Sequence, residues 1–128
     1  MSKEAKYTVK IKKPDQKTLE AAIESMIKTT NAKVINDNKY HIYGLDINKQ
    51  GTCVQLPGTA YPVDIYIEES QIKVHGDSMD LHRAQQLIEE FYKIQYMKQQ
   101  IQTLAPTSMK MNTSYNENKQ EAKLEVWY

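Results

Sequence analysis

Four side chains of metal-ligating type crowd into one short stretch, His75-Gly76-Asp77-Ser78-Met79-Asp80-Leu81-His82. Neutral imidazole combined with carboxylate suits zinc or a non-haem metal, which makes His75, Asp77, Asp80 and His82 the metal candidates of the chain. The stretch lacks an i, i+4 pair of histidines, and Asp77 and Asp80 are equally suited to capping and opening a helix. The expectation is therefore no metal and no cofactor. Cys53 is the other reactive type, and a thiol nucleophile needs a neighbouring base such as His41 and a depressed pKa. A small apolar role within a strand explains Cys53 as well. Leu56-Pro57-Gly58-Thr59-Ala60-Tyr61-Pro62 has neither the glycine spacing nor the Lys or Ser of a phosphate loop or nucleophile elbow, so it reads as a stiff turn. No residue is assigned a catalytic role, and a small metal-dependent enzyme ranks third among the readings.

Two other constellations bear on binding. The chain holds nine Tyr. Tyr7, Tyr40, Tyr43 and Tyr66 fall on predicted strands near Lys10, Lys12 and Lys39. A sheet face carrying aromatics and Lys can stack bases, so Tyr7, Lys10, Lys12, Lys39, Tyr40 and Tyr43 form the nucleic-acid candidate. On the longest predicted helix Tyr92, Tyr96 and Met97 widen the apolar surface, and aromatic and Met side chains are enriched at protein interfaces. These three form the protein-interaction candidate.

That helix organises the chain. Over about 80–104, Leu81, Ala84, Leu87, Ile88, Phe91, Ile94, Met97, Ile101 and Leu104 recur at spacings of three and four with no Gly or Pro between them. Its length, roughly 35 Å at 1.5 Å per residue, is that of a lid across a small domain. Upstream, Tyr7, Val9 and Ile11 alternate as a strand. Asp15 then caps a helix carrying Leu19, Ala22, Ile23, Met26 and Ile27 on one face. Val34-Ile35 and residues 40–43 flank Asn36-Asp37-Asn38, which predicts a hairpin, and 44–51 reads as a connecting loop. A short strand follows at 52–56. Val63, Ile65 and Ile67 pair with Ile72 and Val74 through the Glu69-Ser70 turn, and Gly76-Asp77-Ser78 breaks the second strand. After Pro106 a third hairpin alternates Met109, Met111, Thr113 and Tyr115 with Ala122, Leu124, Val126 and Tyr128. Residues 112–121 are polar enough to move as its loop. This order predicts a single α+β domain over 1–128, a mostly antiparallel sheet covered by two helices, ferredoxin-like in arrangement.

Composition narrows the setting. The net charge of +1, from 17 basic and 16 acidic residues, gives no bulk attraction to nucleic acid or an acidic membrane. Locally, residues 1–17 carry an excess of +4 and residues 63–80 an excess of −4, which makes a dipole if both regions lie at the surface. One cysteine excludes an intramolecular disulfide, and no run of apolar residues reaches the length of a membrane span or a signal sequence. The expectation is a cytoplasmic protein.

Three stretches together resemble a family of short uncharacterised proteins encoded in cyanobacterial and algal plastid genomes. They are the Leu56-Pro57-Gly58 to Tyr61-Pro62 turn, the helix segment Glu90-Phe91-Tyr92-Lys93-Ile94-Gln95-Tyr96, and the ending Lys123-Leu124-Glu125-Val126-Trp127. Members of that family begin with a strand and a short helix and carry a Tyr-rich long helix before a final hairpin. The chain departs from them in having Leu104-Ala105-Pro106 where they have a glycine, and over residues 31–50. The resemblance implies a small α+β module acting through other proteins, and it transfers no residue role. The reading that results is a non-catalytic protein-interaction module that docks a protein partner or itself through the long helix or the open sheet face. A nucleic-acid-binding domain is the alternative, and no membrane is involved.

Overall fold

The computed structural model describes residues 4–35, 39–42, 45–48, 51–59, 61–104 and 109–127, with the backbone alone for 4–7, 39–42 and 45–48. The first strand, β1 (Glu4–Val9), leads through Asp15 into α1 (Gln16–Thr30). Asp15 acts as predicted: its side chain accepts the Thr18 N–H at 3.0 Å and so satisfies one of the helix's orphan donors. Leu19, Ala22, Ile23 and Met26 form the buried face, and Asn31 ends the helix in the left-handed conformation.

Residues 33–48 differ from expectation. The two-residue strand β2 (Lys33–Val34) pairs with β5 (Thr52–Gln55). The hairpin joins β3 (Lys39–Ile42) to β4 (Leu45–Asn48), with His41 opposite Asp46 and Ile42 opposite Leu45. Half of the expected connecting loop is thus a strand. The alternation Leu45-Asp46-Ile47 is the signal for it, overshadowed by the turn-prone triplet 36–38, which lies outside the described residues.

The second hairpin follows the sequence closely. β6 (Val63–Glu68) and β7 (Gln71–Asp77) meet at Glu69 and Ser70, whose φ values of 54° and 61° are the two left-handed positions of a type I′ turn. Gly76 does not break β7. The strand runs into α2 (Ser78–Leu104) without a loop, and Asp77 Oδ1 caps the helix by accepting the Met79 N–H at 2.9 Å. At 27 residues α2 is about 40 Å long. The chain then forms β8 (Lys110–Asn116) and β9 (Glu121–Trp127), joined by a turn at 117–120, so residues 112–116 belong to a strand.

The main sheet has the order β1-β7-β6-β5-β2, and every neighbouring pair is antiparallel. Two helices and antiparallel sheets make the α+β class expected. A ferredoxin-like sheet is built from split βαβ units, which leave parallel neighbours; with β1 at an edge and no parallel pair described, that finer expectation is not confirmed. The helix α2 packs on β1, β7 and β6 and alongside α1, while β8 meets α1 and β9 meets α2. The third hairpin is therefore a separate layer over the helices. The core lies between sheet and helices, with Val9, Val54, Val63, Ile65, Ile72 and Val74 facing Leu19, Met26, Leu81, Leu87, Ile88 and Phe91. No described helix is long and apolar enough to cross a membrane.

Candidate interaction surface

The apolar stripe of α2 outruns its cover. Leu81, Ala84, Leu87, Ile88, Phe91 and Ile94 are buried, whereas Met97 is 46% exposed and Leu104 84% exposed. The third hairpin does not roof the distal part. Its Tyr115 ring packs against Phe91 at 6.4 Å between centroids, and Ala122 joins the same cluster. Glu90 lies under the hairpin too, with the Ala122 N–H against its carboxylate. Burial, together with Glu121 and Glu89 nearby, raises the Glu90 pKa above the ordinary carboxylate range, against the lowering effect of that N–H and of Lys93.

Tyr92 is covered instead by the connection between β1 and α1. Its phenol oxygen accepts the Asp15 N–H at 2.8 Å, and the side chain is 5% exposed. Thr18 Oγ1, at the start of α1, also approaches Gln99 Oε1 at 3.3 Å. These contacts draw residues 10–15 across α2 and leave a groove of about 630 Å³ between the two. Ile11, Tyr92, Tyr96 and Met97 make the floor, and Lys10, Lys12, Lys13 and Lys93 the rim. Lys13 stands at φ 48°, a left-handed backbone in a non-glycine residue directly before Pro14.

No carboxylate is among the described residues that line the groove. Lys93 pairs with Glu89 at 3.3 Å, an exposed i, i+4 contact worth at most about 0.5 kcal/mol. Lys10, Lys12 and Lys13 have no carboxylate partner among the described residues. The nearest acid in sequence, Asp15, is committed to the N–H and hydroxyl of Thr18.

Two sets of residues that the sequence kept apart thus converge: Tyr92, Tyr96 and Met97 from the protein-interaction candidate, and Lys10 and Lys12 from the nucleic-acid candidate. β3, which carries Lys39 and Tyr40, belongs to a separate two-stranded sheet. The side chains of Tyr7, Lys39 and Tyr40, and all of Tyr43, lie outside the described residues. Ile11, Lys13 and Lys93 were missed. The run Lys10-Ile11-Lys12-Lys13-Pro14 was the available signal: three lysines around one apolar residue, followed by a proline that cannot donate to a strand ladder.

The other sheet face is not an open docking surface at its described positions. Strand register places Cys53, Asp64 and His75 side by side on the face away from the helices, with Tyr66 farther along. All four are buried. Period-two polar positions read as solvent-facing, but a polar group held by hydrogen bonds can be buried, and Asp64 Oδ1 accepts the Gly51 N–H at 2.9 Å. The same burial weakens the expected acidic pole: Asp64 and Asp77 are inside, leaving Glu68 and Glu69 exposed and Asp80 half-buried.

The metal candidates are spread over different roles. His75 is buried on β7, Asp77 caps α2, Asp80 faces the Tyr61 N–H at 3.4 Å, and His82 is exposed. Among the described residues no three of His, Cys, Asp or Glu converge as metal ligands. The side chain of His41, the base considered for Cys53, is outside the described residues. The stiff turn at 56–62 is tied to α2 by Arg83 Nη1, which donates to the Pro57 carbonyl. Comparisons with family models, curated proteins and solved structures find no match to the chain.

Proposed function

We propose that this protein is a non-catalytic docking module that engages another protein through the groove between α2 and residues 10–13. The observation that carries the reading is the exposure of Tyr96 and Met97, 52% and 46%, on a helix whose large apolar side chains from Leu81 to Ile94 are buried. Each is a large side chain left in water beside a preformed concavity, and covering such surface is favourable by about 25 cal/mol per Å². Tyr and Met suit the centre of an interface, where one face is dry and the phenol stays wet. Kinship with the plastid-encoded family belongs to the same proposal and supports a module that works through others.

Replacing Tyr96 with a photoreactive phenylalanine analogue in the native host tests the reading. The expected result is a covalent protein adduct formed from position 96 and not from the same analogue at Glu117, on the hairpin turn. Adducts in equal yield from both positions, or none, reject docking at the groove. An RNA or DNA adduct specific to position 96 transfers the groove to the nucleic-acid alternative, which the rim lysines favour.

A further inference from the structure

The charge around the groove identifies the kind of partner it fits, and this inference rests on the docking reading just given. We infer that the occupant is an acidic polypeptide segment, Asp and Glu flanking one or two large apolar side chains. Lys10, Lys12, Lys13 and Lys93 line the groove together with Ile11, Tyr96 and Met97, and no carboxylate is among the described lining residues. Among the described residues only Lys93 of the four has an ion-pair partner, Glu89, and that pair is partly solvated. A basic segment would meet like charge and a neutral one would leave the lysines uncompensated; an acidic one compensates them, with the gain screened by salt.

Other occupants fit less well. A second copy docked about a two-fold axis sets the same lysines against one another, because an isologous interface opposes a patch to itself. Single-stranded nucleic acid answers the charge, but stacking needs successive exposed aromatic faces. Among the described lining residues Tyr96 is the one exposed ring, since Tyr92 is 5% exposed and its hydroxyl accepts from the Asp15 N–H. Ile11 and Met97 are aliphatic and suit a Leu, Phe or Trp side chain. The chain's own third hairpin is engaged at Phe91 instead.

A phage-displayed library of random dodecapeptides, selected on the purified protein, tests the inference without knowledge of the natural partner. The expected outcome is enrichment of Asp and Glu around Leu, Phe or Trp. Synthetic versions of the enriched peptides should lose about tenfold in affinity between low and physiological salt. They should lose as much again on Lys12→Glu combined with Lys13→Glu, and nearly all binding on Met97→Asp. A charge-reversed peptide, Lys in place of Asp and Glu, should regain affinity for the Lys→Glu variant, which a misfolded variant could not provide. Enrichment of neutral or basic peptides, or affinities indifferent to the lysines, overturns the inference. If such peptides still depend on Tyr96 and Met97 the docking reading stands, and if they do not, both fall. Two further results overturn it: tighter binding of oligo-dT lost on the same lysine changes, or oligomers lost on Met97→Asp, which would seat a second copy in the groove.

Discussion

At the scale of single residues, two positions carry constraints that their types do not advertise. A Cβ on Gly51 would come 2.2 Å from the Ile65 carbonyl oxygen and 2.6 Å from Tyr66 Cβ, both inside contact distance. The backbone must therefore approach β6 this closely, and the Gly51 N–H to Asp64 contact depends on it. Gly51→Ala is expected to destabilise the fold by about 1–3 kcal/mol, read from the urea midpoint at unchanged slope. Glu90 constrains the fold through its charge. Its folded-state pKa is raised, chiefly by burial, so the protonated form is the one the docked hairpin prefers. The contribution is fully present below the ordinary carboxylate value and is lost as pH rises through the raised one. Glu90→Gln should thus be more stable than the wild type at neutral pH, and the difference should vanish on acidification through that window. Urea midpoints of the two proteins across pH check the sign, and parallel profiles would dismiss the effect.

At the scale of elements, legibility tracked how far each segment explains itself. Asp15, the Leu19–Ile27 stripe and Asn31 all encode α1 locally, and its bounds were readable. The turn between β6 and β7 was placed correctly from period-two alternation on both sides, although Glu69 and Ser70 are poor residues for it. L-residues other than Gly and Asn reach φ > 0 at a cost, so Ser70→Gly should raise stability by about 0.5–1 kcal/mol. A higher melting temperature with unchanged hairpin amide shifts elsewhere would confirm it; a fall would show that Ser70 has a tertiary role. Residues 33–35 were misread because pairing there is non-local: β2 takes β5 as its partner across 20 residues, between Val34 and Val54. No pattern within 33–35 announces that choice. The groove was half legible for a related reason. Tyr96 and Met97 announce themselves on a helix, but only the path of residues 10–15 over Tyr92 shows which lysines stand beside them.

At the scale of the whole molecule, β1 and β2 follow one another in sequence, separated by α1, yet lie at opposite edges of the sheet. The connection closes only after β5, β6 and β7 stand between them. Val9 finds its register partner at Ile72, roughly 60 residues later, and Ile72 itself is paired to Ile67 by a local turn. Loop closure makes the first pairing entropically slow and the second fast. Val9→Ala is therefore expected to speed unfolding while leaving the refolding rate nearly unchanged, as for a contact formed after the transition state. Chevron analysis reads both arms, and a loss confined to the refolding arm would place β1 in the nucleus. The late arrival of β1 has a further consequence during synthesis. At 5–20 residues per second, β1 waits about 3–12 s for its neighbour to leave the ribosome. Through that interval it is an unpaired strand with Val9 and Ile11 in water, the kind of segment that nucleates aggregation. Lys6 lies within it, and Lys10, Lys12 and Lys13 follow it directly. The lysines that rim the groove in the finished molecule would also keep nascent chains apart before the groove exists.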